Sequence, residues 1–323
     1  MPFLPFLARV RASRRISPNF QRVTLSGLAD MGPAGPIRDL RIKLIIPGPE
    51  PLTGFAGAAD WFATWRGLDP RVRGDMRTYS IRARRGDEVD IDFALHPGAN
   101  PGPASAWAAS CQPGDTLWLI GPTADDSTGA GIEFRPGNSE RALLFGDETA
   151  LPAIARILDE WPTGLAGHAF FEVPSAADAE AQSRDIALPD RVKLTWLVRE
   201  NAPRGSLLTD ALRQSAAAGS GKTAEQKAET EEKTTGADRP ADAREDRSAT
   251  DSDGGATLVW ETPQFSASGE ALPPAGPALR DYYWIAGESG AVTSMRRYLV
   301  KECGIDRRQV SFMGYWRLGR AGS

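Results

Sequence analysis

The hydrophobic period of this chain changes near residue 141, and that change constrains the fold more than any other feature. Before it, short alternating or apolar runs follow one another: RRISPNFQRVTLSGL, RDLRIKLIIPG, MRTYSIRARRGD, EVDIDFALH and DTLWLIGP. Turn residues separate them, and Arg85-Gly86-Asp87 reads as a hairpin turn. Many short strands at close spacing predict a small antiparallel barrel. One Ala-rich helix interrupts it, beginning near Ser105 and stopping before Pro113-Gly114. After Arg141 strand-like runs alternate with amphipathic helices. Leu151, Ile154, Leu158 and Trp161 share one helix face, and Val292, Met295 and Leu299 share another. Such alternation predicts a doubly wound parallel sheet. The chain therefore reads as an antiparallel β-barrel domain over residues 1–123, followed by a parallel-sheet α/β domain over 141–320.

One segment belongs to neither pattern. Between Arg213 and Thr257 there is no Val, Ile, Leu, Met or aromatic residue. From Lys222 to Asp253 six basic and ten acidic residues give a balance of -4, which equals the net charge of the chain, so the remainder is neutral. A segment this poor in apolar side chains cannot offset its ordering entropy, and an insertion over about 214–256 is expected to be disordered. Loop-closure cost grows slowly with length, so a surface loop tolerates it.

The charge balance implies no polyanionic partner, and nucleic acid is not expected. Two cysteines, Cys111 and Cys303, and two histidines, His96 and His168, cannot build a disulfide framework or a zinc or haem centre. The apolar start MPFLPFLARVRASRR has its arginines after the apolar run, the reverse of a secretory signal. No run approaches the roughly 20 apolar residues that cross a bilayer. A cytoplasmic protein without a membrane partner is the expectation.

The strand RTYSIR is unusual. Successive side chains of a strand point to opposite faces. Arg77, Tyr79 and Ile81 then share one face, and Thr78, Ser80 and Arg82 the other. A cation beside a phenol suits a flat anionic ligand better than a core. About twenty residues on, HPGANPGPASAWA starts a helix whose free amides and positive dipole end suit a phosphate. Gly102 and Ala104 permit close approach there. Arg77 could neutralise a phosphate, Tyr79 could lie against a flavin ring, and His96 could hydrogen-bond the flavin.

With these motifs the chain resembles the siderophore-interacting protein family of FAD-dependent ferric-siderophore reductases, within the ferredoxin–NADP reductase superfamily. The resemblance rests on R-x-Y-[TS]-x-R at Arg77–Arg82, D-F-x-x-H at Asp92–His96, and G-x-A-S-x-W-A at Gly102–Ala108. It continues through P-G-D-x-L-x-x-x-G-P at Pro113–Pro122 and D-E-T-A-x-P-A at Asp147–Ala153. It ends with W-x-A-G-E at Trp284–Glu288 and G-Y-W-R-x-G at Gly314–Gly319.

The resemblance implies a flavin-binding barrel followed by a nicotinamide-binding domain, with the cofactors meeting in the cleft. It implies that Arg77, Tyr79, Ser80, His96, Gly102, Ala104 and Ser105 hold FAD. Gly146, Asp147, Glu148 and Thr149 form a strand-to-helix turn expected to face the nicotinamide nucleotide. Gly287 and Glu288 stand where the wider superfamily has a Cys-Gly-Pro turn, here without the cysteine. Tyr315 and Trp316 resemble the terminal aromatic residues that cover the flavin. Arg199 matches a position that often pairs with the 2′-phosphate of NADPH, whereas Glu172 could take the ribose hydroxyls of NADH; the balance leans to NADPH, with NADH tolerated. Many relatives carry an arginine after Gly-Pro at the barrel's end, where this chain has Thr123, Asp125 and Asp126. Lys43, Arg71 and Arg73 are candidates for the substrate mouth.

The implied reaction passes a hydride from NADPH or NADH to FAD, which returns electrons singly to a chelated ferric iron. No general acid or base is needed, so no catalytic side chain is expected, and the iron is substrate rather than a resident metal. Two other readings remain open: a flavin reductase serving a ferredoxin or an oxygenase, and a non-catalytic carrier of a ferric chelate.

Overall fold

The computed structural model describes residues 3–95, 101–220, 260–261 and 280–319. Two sheets divide the chain where the hydrophobic period changes.

The first half forms a seven-stranded antiparallel half-barrel. Its strands are β1 (Phe3–Ser17), β2 (Phe20–Ser26), β3 (Arg41–Ile46), β4 (Asp75–Ser80), β5 (Ala83–Arg85), β6 (Glu88–Ala94) and β7 (Thr116–Pro122), in the order β4-β3-β7-β1-β2-β6-β5. Alternate residues of these strands, such as Val23, Leu25, Ile42, Leu44, Val89, Ile91 and Phe93, fill one buried core. Before β4 lie two short helices that the sequence reading did not anticipate, α1 (Trp61–Gly67) and α2 (Pro70–Arg73). Each is capped by an aspartate, Asp60 or Asp69. α3 (Pro103–Ser110) packs against β2 and β6 and reaches β3 and β4.

The second half is a six-stranded sheet. Its strands are β8 (Arg141–Gly146), β9 (Ala166–Val173), β10 (Val192–Val198), β11 (Trp260–Glu261), β12 (Asp281–Glu288) and β13 (Val310–Trp316), in the order β10-β9-β8-β12-β13-β11. All neighbours are parallel except β11 on β13. α4 (Leu151–Asp159) and α5 (Ala176–Ser183) bury residues on one face of the sheet; α6 (Ser206–Ser220) and α7 (Ser289–Arg297) bury theirs on the other. Leu151, Ile154, Leu158, Val292, Met295 and Leu299 are all buried, as their spacing requires. α6 runs on to Ser220, so residues 214–220 are helical rather than part of a disordered insertion; the rest of that segment lies outside the described residues.

The halves are joined by buried polar contacts. The Asp178 carboxylate accepts hydrogen bonds from the Ser17 hydroxyl (2.5 Å), the Asn19 amide (3.0 Å) and the Asn19 side chain (2.8 Å). Arg22 forms a bidentate pair with Asp92 (2.6 and 2.7 Å) and also reaches Asp185 (2.6 Å). Arg82 donates to Asp159 (2.6 Å) and to the Asp185 carbonyl (2.5 Å). The second cation of the RTYSIR motif thus serves the junction of the halves rather than a ligand.

Candidate functional site

On β4, Met76 and Ser80 are buried, Thr78 is exposed, and Arg77 and Tyr79 are half-buried. The Tyr79 ring leans on Phe93 at 4.6 Å between centroids, and Phe93 leans on Trp107 of α3 at 5.9 Å. Arg77 donates to the Met76 carbonyl (2.9 Å) and to Asp75 (3.2 Å), a local anchorage that fixes the start of its strand. Ser80 is hydrogen-bonded to the Tyr315 phenol, and burial drives that phenol's pKa far above its ordinary value.

α3 begins two residues earlier than expected. Gly102 is its N-cap and Pro103 its first residue, so Ser105 lies inside the first turn rather than at the cap. The first helical hydrogen bond runs from the Ala106 amide to the Gly102 carbonyl (2.9 Å). The Ala104 amide precedes it, in the first turn, where backbone N–H groups have no i−4 carbonyl to bond. Among the described residues no side chain caps this end, no acid stands in the first turn, and nothing lies within 4 Å of a Cβ built on Gly102. His96 lies outside the described residues.

The turn after β8 is organised differently. Gly146 is small because α4 packs close: a Cβ there would lie 2.6 Å from Ile154 Cδ1. The buried Asp147 carboxylate accepts from the Thr149 amide (2.9 Å) and hydroxyl (2.5 Å), the Glu288 amide (2.8 Å) and the Trp316 indole (2.8 Å). Glu288 caps α7 through the Ala291 amide (2.9 Å) and also accepts from the Leu318 amide (3.2 Å). Glu148 is buried and paired with Arg199 (2.8 and 3.1 Å) and with Arg204. The Arg199 and Arg204 guanidiniums hold its carboxyl below the ordinary range against the opposing effect of burial.

Arg199 is buried rather than open at its strand end. Its guanidinium is 7% exposed and reaches Glu148 and also Glu172 (3.2 Å). Glu172 is fully buried and accepts from the Gly205 amide (2.7 Å) and the Leu208 amide (3.3 Å) at the start of α6. In this structure both charges are engaged within the ion cluster and with the α6 amides. The strand-end position that suggested a ligand instead buries both in one ion cluster.

Arg204, which sequence reasoning missed, lies nearer the surface. It stacks 5.2 Å over the Trp316 ring and lines a cleft of about 500 Å³ with Ser206, Thr209, Arg213 and Ser294, between the starts of α6 and α7. The Pro-Arg-Gly sequence ahead of α6 was the available signal. Asp39 was missed as well. This buried carboxylate accepts from the Trp284 indole (2.8 Å) and the Phe134 amide (3.1 Å), and burial pushes its pKa up to about 6.

The substrate candidates sit near the β3–β4 edge. Lys43 extends toward Thr78. Arg71 pairs with Glu50 (2.9 Å), and Arg73 lies over the Trp65 ring at 5.4 Å.

An antiparallel half-barrel joined to a parallel α/β sheet, with the last strand touching both, defines a ferredoxin-reductase-like fold. The ferredoxin reductase of carbazole 1,9a-dioxygenase shares it, at TM-score 0.55 and 14% identity over 98% of this chain and 68% of that one. The siderophore-interacting protein of Aeromonas hydrophila aligns at TM-score 0.61 and 26% identity, covering 99% of this chain and 94% of that one. A siderophore utilization protein from T. fusca aligns at TM-score 0.64 and 27% identity, covering 100% and 96%.

Family models agree in sequence. The siderophore-interacting FAD-binding domain matches residues 9–126, and the siderophore-interacting protein model matches 139–319. The chain belongs to the siderophore-interacting protein family. Ferric vibriobactin reductase of Vibrio cholerae is 34% identical over 140 residues, 43% of this chain and 47% of that protein. The NADPH-dependent ferric-chelate reductase of Escherichia coli is 32% identical over 146 residues, 45% of this chain and 52% of that protein. The aligned region thus spans about half the length of these relatives. Among the described residues no helix is long and apolar enough to cross a membrane.

Proposed function

We propose that this protein is a cytoplasmic NAD(P)H-dependent ferric-siderophore reductase that uses FAD. The observation that carries the reading is the α3 start: among the described residues a helix terminus with no side-chain cap and with space at Gly102, next to the strand that carries Arg77 and Tyr79. That donor set fits a flavin dinucleotide. The Ala104 and Ser105 amides and Arg77 would hold phosphate, while Tyr79, Ser80 and Tyr315 would orient the ring system. When bound, the flavin supplies the conversion of a hydride's electron pair into single electrons for chelated ferric iron.

The chain's own residues bind and orient. The cleft is lined by Arg204 and Arg213 together with Asp210, and Arg204 also pairs with Glu148; the guanidiniums support a nucleotide donor there, with NADPH favoured over NADH. The reductase names of the Vibrio and Escherichia relatives support a ferric chelate as acceptor. Lys43, Arg71 and Arg73 are proposed to guide an anionic chelate.

The test is the visible spectrum of the purified protein. It should be yellow and should bleach under anaerobic NADPH. Adding a ferric hydroxamate or catecholate chelate should restore the colour and release iron(II) to a trapping agent. Bleaching that no ferric chelate reverses would point to a different acceptor, such as a ferredoxin. A colourless protein that binds ferric chelate without reducing it would be a carrier.

A further inference from the structure

All four hydrogen bonds to the Asp147 carboxylate come from donors, and the donors belong to three different strand ends. Thr149 lies in the β8–α4 turn, the Glu288 amide at the β12–α7 turn, and the Trp316 indole at the end of β13. β8, β12 and β13 are neighbours in the parallel sheet. Ligands of such sheets bind outside the carboxyl ends of the strands. One carboxylate therefore ties together the rim of the proposed nucleotide site.

Trp316 is gripped from further directions. The Ser289 hydroxyl donates to its carbonyl (2.9 Å), and Arg204 covers its ring while pairing with Glu148. Its neighbour Tyr315 turns to the opposite side, onto Ser80 of the barrel. Trp316 thus stands between the nucleotide cleft and the flavin half. The adjoining backbone is shaped around the same carboxylate: Gly287 has φ 147°, and a Cβ on it would lie 2.6 Å from Asp147 Oδ2.

We propose that Asp147 is a positioning residue whose ionised carboxylate holds the Trp316 indole and the Gly287–Glu288 turn where nicotinamide meets flavin. It acts through Trp316 and need not touch the nucleotide. The role rests on the nicotinamide–flavin reading above. Because every partner is a donor, only the carboxylate satisfies them all. The Thr149 hydroxyl could turn to accept, but the Glu288 and Trp316 N–H groups on Oδ2 can only donate, so a proton or an amide NH₂ on that oxygen would set donor against donor.

The charged groups facing Asp147 are Glu148 from its own turn, Glu288 from the β12–α7 turn, and Arg204 across Trp316. Burial, and then the charge of Glu148, push the Asp147 carboxyl up to about 6. The bracket should therefore loosen in mildly acidic solution, where an ordinary aspartate remains ionised. Stability responds with the opposite sign. A raised folded pKa contributes stability below the ordinary aspartate pKa, and that contribution is lost as pH rises through about 6. A drop in hydride-transfer rate between pH 7 and pH 5 without a fall in this group's contribution to stability separates positioning from simple unfolding.

The experiment compares wild type, Asp147→Asn, Trp316→Phe and the double variant, measuring anaerobic flavin bleaching by NADPH. Asp147→Asn should slow bleaching at saturating NADPH about tenfold or more, keep FAD content, and leave the NADPH KM within about twofold. It should also erase the acid limb of the pH profile. Trp316→Phe keeps a ring but removes the indole donor; it should slow bleaching as well, and adding Asp147→Asn should slow it little further. A raised KM at unchanged rate would make Asp147 a nucleotide contact and overturn the proposal. Additive losses in the double variant, or loss of FAD and fold from Asp147→Asn alone, would overturn it too. If NADPH does not bleach the wild type, the proposed function falls instead. Positioning is then decided by tryptophan emission between pH 7 and pH 5: a transition present in wild type and absent from Trp316→Phe sustains it, and no transition ends it.

Discussion

Two helix starts in this molecule are built in opposite ways. α3 opens with Gly102 and Pro103, has no capping side chain and no acid in its first turn. α7 opens with Glu288, whose own carboxylate takes the Ala291 amide, and Asp147 takes the Glu288 amide beside it. Both helices have a glycine just ahead of their first residue, Gly102 for α3 and Gly287 for α7. The difference teaches that a helix terminus is available to an outside anion only where the chain supplies no carboxylate of its own. The α3 start is the one the proposed function assigns to a phosphate. The turns of the α/β half are satisfied internally, and positive charge reaches the surface at Arg204 and Arg213 instead.

The largest expected effect tests the internally satisfied side. Arg199→Ala strips a buried cation from Glu148 and Glu172 and should cost about 3–5 kcal/mol, because both carboxylates lose a buried partner. Urea unfolding measures it. If stability is unchanged while only the NADPH KM rises, Arg199 is a phosphate ligand after all.

Next comes the open side. Gly102→Asp places on α3 the kind of carboxylate that α7 already carries. Aspartate is a favoured N-cap, so the helix should not weaken. Flavin affinity should nevertheless fall about a hundredfold, because a charge-assisted phosphate contact worth roughly 1.5–3 kcal/mol gives way to repulsion. Equilibrium dialysis of FAD reads this directly, and undiminished binding would place the phosphate elsewhere. Arg77→Ala should lower flavin retention by a smaller factor, about tenfold, since the helix amides remain.

The smallest effect sharpens where the α/β half meets its anion. Arg204→Gln should raise the NADPH KM about tenfold, near 1.4 kcal/mol, and leave that for NADH within about twofold. Equal losses with both nucleotides would assign Arg204 to the shared diphosphate or to Trp316 alone.

Much of this architecture follows from short-range pattern. The alternate apolar residues Ile42, Leu44, Val89, Ile91 and Phe93 entered the barrel core, although Asp90 and Asp92 on the other side of β6 are buried as well, and the spacing of Leu151, Ile154 and Leu158 buried one face of α4, because periods of two and 3.6 act locally. The GPASAWA start was also readable, although its cap is Gly102 rather than Ser105. α1 and α2 escaped notice because four to seven residues give no reliable period.

Sequence alone settled the order of the two folds, the core faces of the main elements and the family motifs. The tertiary structure decided what each charge does. Asp39 meets Trp284 across 245 positions, Asp147 meets Trp316 across 169, and Arg199 meets Glu148 across 51. A charged side chain takes its function from whichever partner burial brings within about 3 Å. That partner is fixed by how the sheets pack, so Arg82 joined the two halves, Arg199 became buried, and Arg204 lined the cleft between the starts of α6 and α7.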